Sequence, residues 1–291
     1  MSRSIRRRIS KLALVLGSAL ALAAPAGAQD ALYRSAMRFS ATLDWVSGEL
    51  VAELSLDLVA AGLRLPSGRA EAERAVERLA PVLAEPELLK ITLDSYRNVG
   101  DGLAAGMIEQ AAFHDYLEGG RRVRSALSRD LRFYEARYAW SLGSLAGLFA
   151  GHGRASEAPP AIGFTPSRPY TGIVIYLSGA LPVRGERREE RAAPAVLPKL
   201  WDDRMNLIFE QSRMEPGAAT SALPVAYAFG VDDPAIERRA GADPLRLMAT
   251  GVFGSLRTDP VIARDDALRI LSEGANRELL RQGKLVFVFI D

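Results

Sequence analysis

The sequence predicts an α+β fold: a β-hairpin/helix/strand module followed by a mainly β module. Three observations carry this. Apolar and polar residues alternate with period two between Phe39 and Leu58, apolar residues recur at helical spacing between Ala72 and Leu83, and beyond Pro169 short apolar runs are separated by turn residues. Strands, helix and strand in that order put helices on one face of a sheet.

The elements follow in chain order. Phe39, Ala41, Leu43 and Trp45 alternate with Ser40, Thr42 and Asp44. After Val46-Ser47-Gly48-Glu49 the alternation resumes with Leu50, Ala52, Leu54, Leu56 and Leu58, so the two runs read as a hairpin with one apolar and one wet face. Pro66-Ser67-Gly68 starts a helix, with Glu71 and Glu73 near its positive end and Ala72, Ala75, Val76, Leu79 and Leu83 on its apolar stripe. Pro81 is expected to kink or end it, and Pro86 to stop it, because proline lacks the helical N–H donor. A second helical stretch runs from about Leu103 to Leu117 and stops at Gly119-Gly120; Tyr134 to Leu142 then alternates as a strand.

Residues 151–169 are rich in Gly, Ala and Pro, which places a linker at 156–169 between a domain at 29–155 and one at 170–291. In the second domain, Ile173 to Leu177 is apolar without alternation, as a strand buried on both faces would be. Val196 to Leu200 and Leu207 to Glu210 flank the turn at Asp202-Asp203-Arg204-Met205. Val225 to Phe229, Leu245 to Phe253 and Leu285 to Ile290 read as strands, the last too apolar for an exposed edge. Asp265 to Ser272 reads as a short helix capped by Asp265, with Gly274 near its end.

The first 28 residues read as an address rather than as fold. Arg3, Arg6, Arg7, Arg8 and Lys11 precede an apolar run from Leu12 to Ala24, and Ala26-Gly27-Ala28 supplies small residues at −3 and −1. This is the pattern of a signal peptide cleaved after Ala28. The run falls short of the roughly 20 residues that cross a bilayer. A periplasmic or secreted location is expected, with no integral span in the mature chain. Removing the five basic residues of the leader takes the formal charge from +2 to −3, with 32 basic residues left against 35 acidic. The basic pI therefore gives no reason to expect nucleic acid as a partner.

Few residues offer chemistry. There is no Cys, and His114 and His152 are the only histidines, so neither a disulfide framework nor a metal-ligand spacing is present and no cofactor is expected. Phosphate-loop, dinucleotide and nucleophile-elbow motifs are missing. Asp202-Asp203, Asp232-Asp233 and Asp265-Asp266 could serve a glycosidase if the fold set two carboxyls about 5–9.5 Å apart, but each pair sits where a turn or cap already explains an aspartate. The mixed-charge run from Arg184 to Arg191 reads as a solvated loop between strands, and its sharper reading is a docking loop through Arg184, Arg187, Arg188 and Arg191. Trp45, Trp140 and Trp201 fall at strand positions and read as core. Trp201, beside a turn, is the one most suited to a partner or to a small-molecule pocket.

Several short motifs carry a resemblance. Ala70 to Leu83, Leu93-Asp94-Ser95, Val99-Gly100-Asp101 and Leu131 to Leu142 resemble the strand–helix–segment–strand order of exported LPP-type lipoproteins and of the N-terminal domain of the flagellar assembly protein FlgT. Thr171-Gly172-Ile173-Val174, Pro198-Lys199-Leu200-Trp201-Asp202, Asp259-Pro260-Val261-Ile262, Asp266-Ala267 and Val286 to Asp291 resemble a companion segment of spirochaetal proteins. This chain lacks the acylated cysteine of the lipoproteins. The resemblance implies a non-enzymatic envelope protein that works through contacts with envelope or flagellar proteins, and brings no catalytic residues with it. The alternatives are a carboxylate-dependent glycan hydrolase and a small-molecule or peptide-binding module.

Overall fold

The computed structural model describes residues 26–291. The basic cluster and the apolar run of the expected signal peptide lie outside them. The N-terminal half contains α1 (Ala26–Ser35), β1 (Met37–Asp44), β2 (Glu49–Asp57), α2 (Gly68–Lys90), α3 (Val99–Ala104), α4 (Gln110–Glu118), β3 (Arg121–Leu127), β4 (Phe133–Ser141) and α5 (Leu142–Leu148). Its antiparallel sheet has the order β1-β2-β4-β3. Leu50, Ala52, Leu54 and Leu56 on β2 and Tyr134, Ala136, Tyr138 and Trp140 on β4 point to one face, where Ala72, Ala75, Val76 and Leu79 of α2 cover them. Each fully buried leucine in this layer contributes about 1.5–3 kcal/mol.

The helix differs from expectation. α2 runs through both Pro81 and Pro86. The carbonyls that lose their donors belong to Glu77 and Val82, both exposed, so water can satisfy them. Meanwhile Ala84 and Leu88, one and two turns beyond Pro81, are buried and hold the continued helix on the sheet. The second helical stretch is split instead, by Gly106 at φ +69°, into α3 and α4.

The C-terminal half contains β5 (Ile173–Ser178), β6 (Ala180–Pro182), β7 (Glu189–Arg191), β8 (Leu200–Asp202), β9 (Leu207–Phe209), α6 (Pro216–Ala219), β10 (Ala226–Ala228), α7 (Pro234–Ala240), β11 (Leu245–Phe253), β12 (Asp259–Ile262), α8 (Arg264–Leu271), α9 (Gly274–Arg281) and β13 (Leu285–Ile290). Seven strands form a mixed sheet, β10-β13-β5-β11-β12-β8-β9, and β6 and β7 make a separate hairpin. β5 lies between parallel neighbours β13 and β11, which is why its sequence lacks alternation. α7 covers one side through Ile236 and Ala240 against Val174, Val286 and Val288. Ile270 of α8 and Leu279 and Leu280 of α9 pack into the main core with Ile175, Phe287 and Leu247.

Two local expectations shift here. Ala263 stands at the N-cap position of α8 without a side-chain cap bond, so Asp265 lies inside the first turn, and Gly274 opens α9 rather than closing α8. No helix or strand lies between Leu148 and Ile173.

The two halves share one continuous apolar core. Trp45 meets Tyr227 edge-on at 5.3 Å, and the Gln211 amide donates to the carbonyls of Ala146 in α5 and Ala219 in α6.

Candidate functional site

The densest buried polar cluster lies where the halves meet, and the quoted motifs build it. Asp94 accepts from the backbone N–H groups of Tyr96 and Arg97, closing a tight turn. Asn98 and Asp101 form a reciprocal capping box that starts α3. Between them the turn projects Ser95 into the C-terminal half. There the Ser95 hydroxyl donates to Asp259 Oδ2 at 2.5 Å, and the Ser95 carbonyl accepts from Leu256 N at 2.9 Å. Neighbouring segments zip alongside: Val196 N donates to Thr92 O and Leu197 N to Leu93 O.

Asp259 receives four donors. Lys199 N at 3.0 Å and the Thr258 hydroxyl at 2.9 Å reach Oδ1; the Trp201 indole N–H at 3.1 Å and Ser95 reach Oδ2. Burial pushes the Asp259 carboxyl up from its ordinary value, and the bonds from Ser95, Lys199, Trp201 and Thr258 oppose that rise. Phe253 roofs the cluster, with Trp201 edge-on at 5.8 Å and Tyr96 at 6.1 Å. Gly254, at φ +93°, lets Ser95 approach; a Cβ there would sit 2.3 Å from Ser95 Cβ. A saturated carboxylate in such a place joins segments; its lone pairs are occupied by the protein itself.

Four of the predicted docking residues lie together at the β6–β7 hairpin, and Trp201 stands apart from them. Arg184 donates to the Asp203 carbonyl, Arg188 pairs with Glu186 and Glu190, and Arg191 pairs with Asp291 at 2.6 Å, all at or near the β6–β7 hairpin. Arg187 is exposed at its tip. Trp201 is half-buried and held by Asp259. A hollow of about 410 Å³ at the carboxyl ends of β5, β10 and β13 is lined by Leu177, Ala192, Phe229, Phe289 and Ile290 together with Arg191 and Asp291, and Trp201 is not part of it.

The remaining candidates serve local structure. Asp202 accepts from Arg204 N, Asn206 N and the Asn206 amide, and so builds its hairpin turn. Asp233 caps α7 through Ala235 N, and Asp266 pairs with Arg269 within α8. His152 bonds the Met214 carbonyl at 3.0 Å, and His114 is exposed on α4. Among the described residues, no group of three or more His, Asp or Glu is placed to hold a metal ion.

One feature is absent from the sequence reading. The sheet face opposite α2 bears Arg38, Glu53, Arg124, Glu135 and Arg137 around a depression of about 350 Å³. Glu53, Glu135 and Arg137 sit at the polar positions of alternating strands; Arg38 and Arg124 lie outside the runs whose alternation marks a strand. No curated protein matches this chain. Residues 36–148 match the family model described as the N-terminal domain of Treponema pallidum Tp0624, and residues 172–291 the one described as its second domain. These matches support the spirochaetal part of the resemblance and carry no link to LPP-type lipoproteins or FlgT. Through both halves, and in the same order, this chain is similar to the first two domains of Treponema pallidum Tp0624.

Proposed function

We propose that this is an exported, non-enzymatic protein of the cell envelope that acts by holding other proteins, in assembly of a surface or flagellar structure. The observation that carries the reading is the employment of the chemistry-bearing side chains. Asp202 builds a turn, Asp233 caps α7, Asp259 is saturated at the seam, and a charged, exposed hairpin tip is left at 184–188. Export is supported by the pattern of the leader, and the residues after its expected cleavage point belong to the folded protein. The Gln29 amide donates to Glu71 and Asp30 pairs with Arg78, tying the start of the mature chain to α2. Among the described residues, no helix is long and apolar enough to cross a membrane.

Two measurements test this. Sequencing the protein from a cell fractionation is expected to give Gln29 as the first residue in the periplasmic fraction; an intact Met1 in the cytosol overturns export. A photo-crosslinking residue at Arg187 is expected to capture a defined envelope protein in living cells. Replacing Arg187, Arg188 and Arg191 by Ser should abolish a pull-down of that protein with an unchanged melting temperature. Undiminished recovery removes the hairpin as the docking site.

A further inference from the structure

The open face of the N-terminal sheet holds a combination that folding alone does not account for. Strand register sets Ser40, Glu53, Arg137 and Arg124 in one row and Arg38, Ser55, Glu135 and Ala126 in the next. Arg137 thus has Glu53 as its direct neighbour on one side and Arg124 on the other; the first placement is favourable, and the second sets like charges side by side, which is destabilising.

A bulge produces this pairing. On β3, Arg122 faces Tyr138 and Arg124 faces Arg137, so Val123 is the extra residue and Arg124 is turned onto the face opposite Arg122. Without the bulge Arg124 would follow Arg122, which pairs with Glu73 on the α2 side. Neighbouring charges find partners: Arg121 with Glu49 at 2.9 Å, and Arg132 with Asp57 at 2.7 Å. Among the described residues, Arg38, Glu53, Arg124, Glu135 and Arg137 form no ion pair, although all five line the same depression with Ser40 and Ser55 between them. Arg38 is steadied from below by the Phe133 ring, 5.2 Å from its guanidinium carbon.

Three guanidinium groups and two carboxylates on a rigid sheet are complementary to a ligand with two carboxylates and one ammonium. Guanidinium forks accept carboxylates in bidentate fashion, and Glu53 and Glu135, with the two serine hydroxyls, offer oxygens to an ammonium. We infer that this face is a binding site for the end of a short acidic peptide, its carboxylates bridging Arg124, Arg137 and Arg38 and its amino group received by Glu53 and Glu135. This site is separate from the hairpin proposed above, and neither depends on the other.

The test uses the dipeptide Ala-Glu, which has this charge set, titrated by calorimetry into the protein at low salt. Saturable one-to-one binding is expected, at least fivefold tighter than for Ala-Gln, which lacks one carboxylate. Arg124→Gln and Arg137→Gln should each weaken it at least tenfold with an unchanged thermal melt. As a readout independent of those variants, backbone amide NMR shifts should concentrate at residues 38–40, 53–55, 124 and 135–137. No saturation up to 10 mM, equal affinity for Ala-Glu and Ala-Gln, or shifts centred elsewhere would each overturn the inference.

Discussion

The Asp259 cluster and the open sheet face both gather charged side chains, and they differ in what surrounds the charge. Asp259 is buried and receives four donors from four residues, so it acts as a joint between the halves. The five charges of the open face stand in water, with Arg137 set between Glu53 and Arg124 by strand register and none of the five joined in an ion pair among the described residues. A satisfied buried group reports on stability; an unsatisfied exposed group on a stiff support reports on recognition.

Changes at the two places should therefore have opposite signatures. The largest effect is expected from Asp259→Ala, which strands four donors, two buried and two half-buried, and should cost about 4 kcal/mol, seen as a fall in melting temperature of roughly 10 °C by calorimetry. Next is Gly254→Ala, which forces a left-handed backbone onto a residue with a side chain and pushes it into Ser95; about 2 kcal/mol should be lost. Both losses should appear in one unfolding transition, since the core is continuous; two separated transitions in either variant would show that the joint does not couple the halves.

A smaller effect depends on pH. The folded protein holds the Asp259 proton more tightly than the unfolded chain does, so this group favours folding most at low pH. That contribution is lost as pH rises from the ordinary carboxylate value near ~4 through the raised one. The stability of the wild type minus that of Asp259→Asn should fall between pH 4 and pH 8, and a flat difference would refute the raised value. Smallest of all, Arg124→Gln should change stability by no more than about 0.5 kcal/mol, measured by urea unfolding. A loss of 2 kcal/mol would make that arginine structural after all.

Much of the fold was legible because short-range patterns determine it. The β1–β2 hairpin, the β4 strand, the doubly buried β5 and the hairpin around Asp202 all follow from period two, continuous apolarity and turn residues. β3 escaped because Arg121, Arg122 and Arg124 give it no apolar face: it is an exposed edge whose identity comes from pairing with β4. The passage of α2 through two prolines escaped for the converse reason, since packing against the sheet outweighs two lost donors. The motifs around Ser95 and Asp259 were visible as strings, but their meeting, 164 residues apart in sequence, is a product of tertiary structure. Of the open-face charges, Glu53, Glu135 and Arg137 fall at polar positions of the alternating runs, whereas Arg38 and Arg124 lie outside those runs, and only register and the Val123 bulge bring the five to one place.

The placement of β13 has a consequence in time. It is the piece that joins β10 to β5, yet it follows both in the chain, and β10 has no other strand beside it. During synthesis the C-terminal sheet therefore stays unclosed, with β10 unmoored, until the ribosome has delivered residues 285–290.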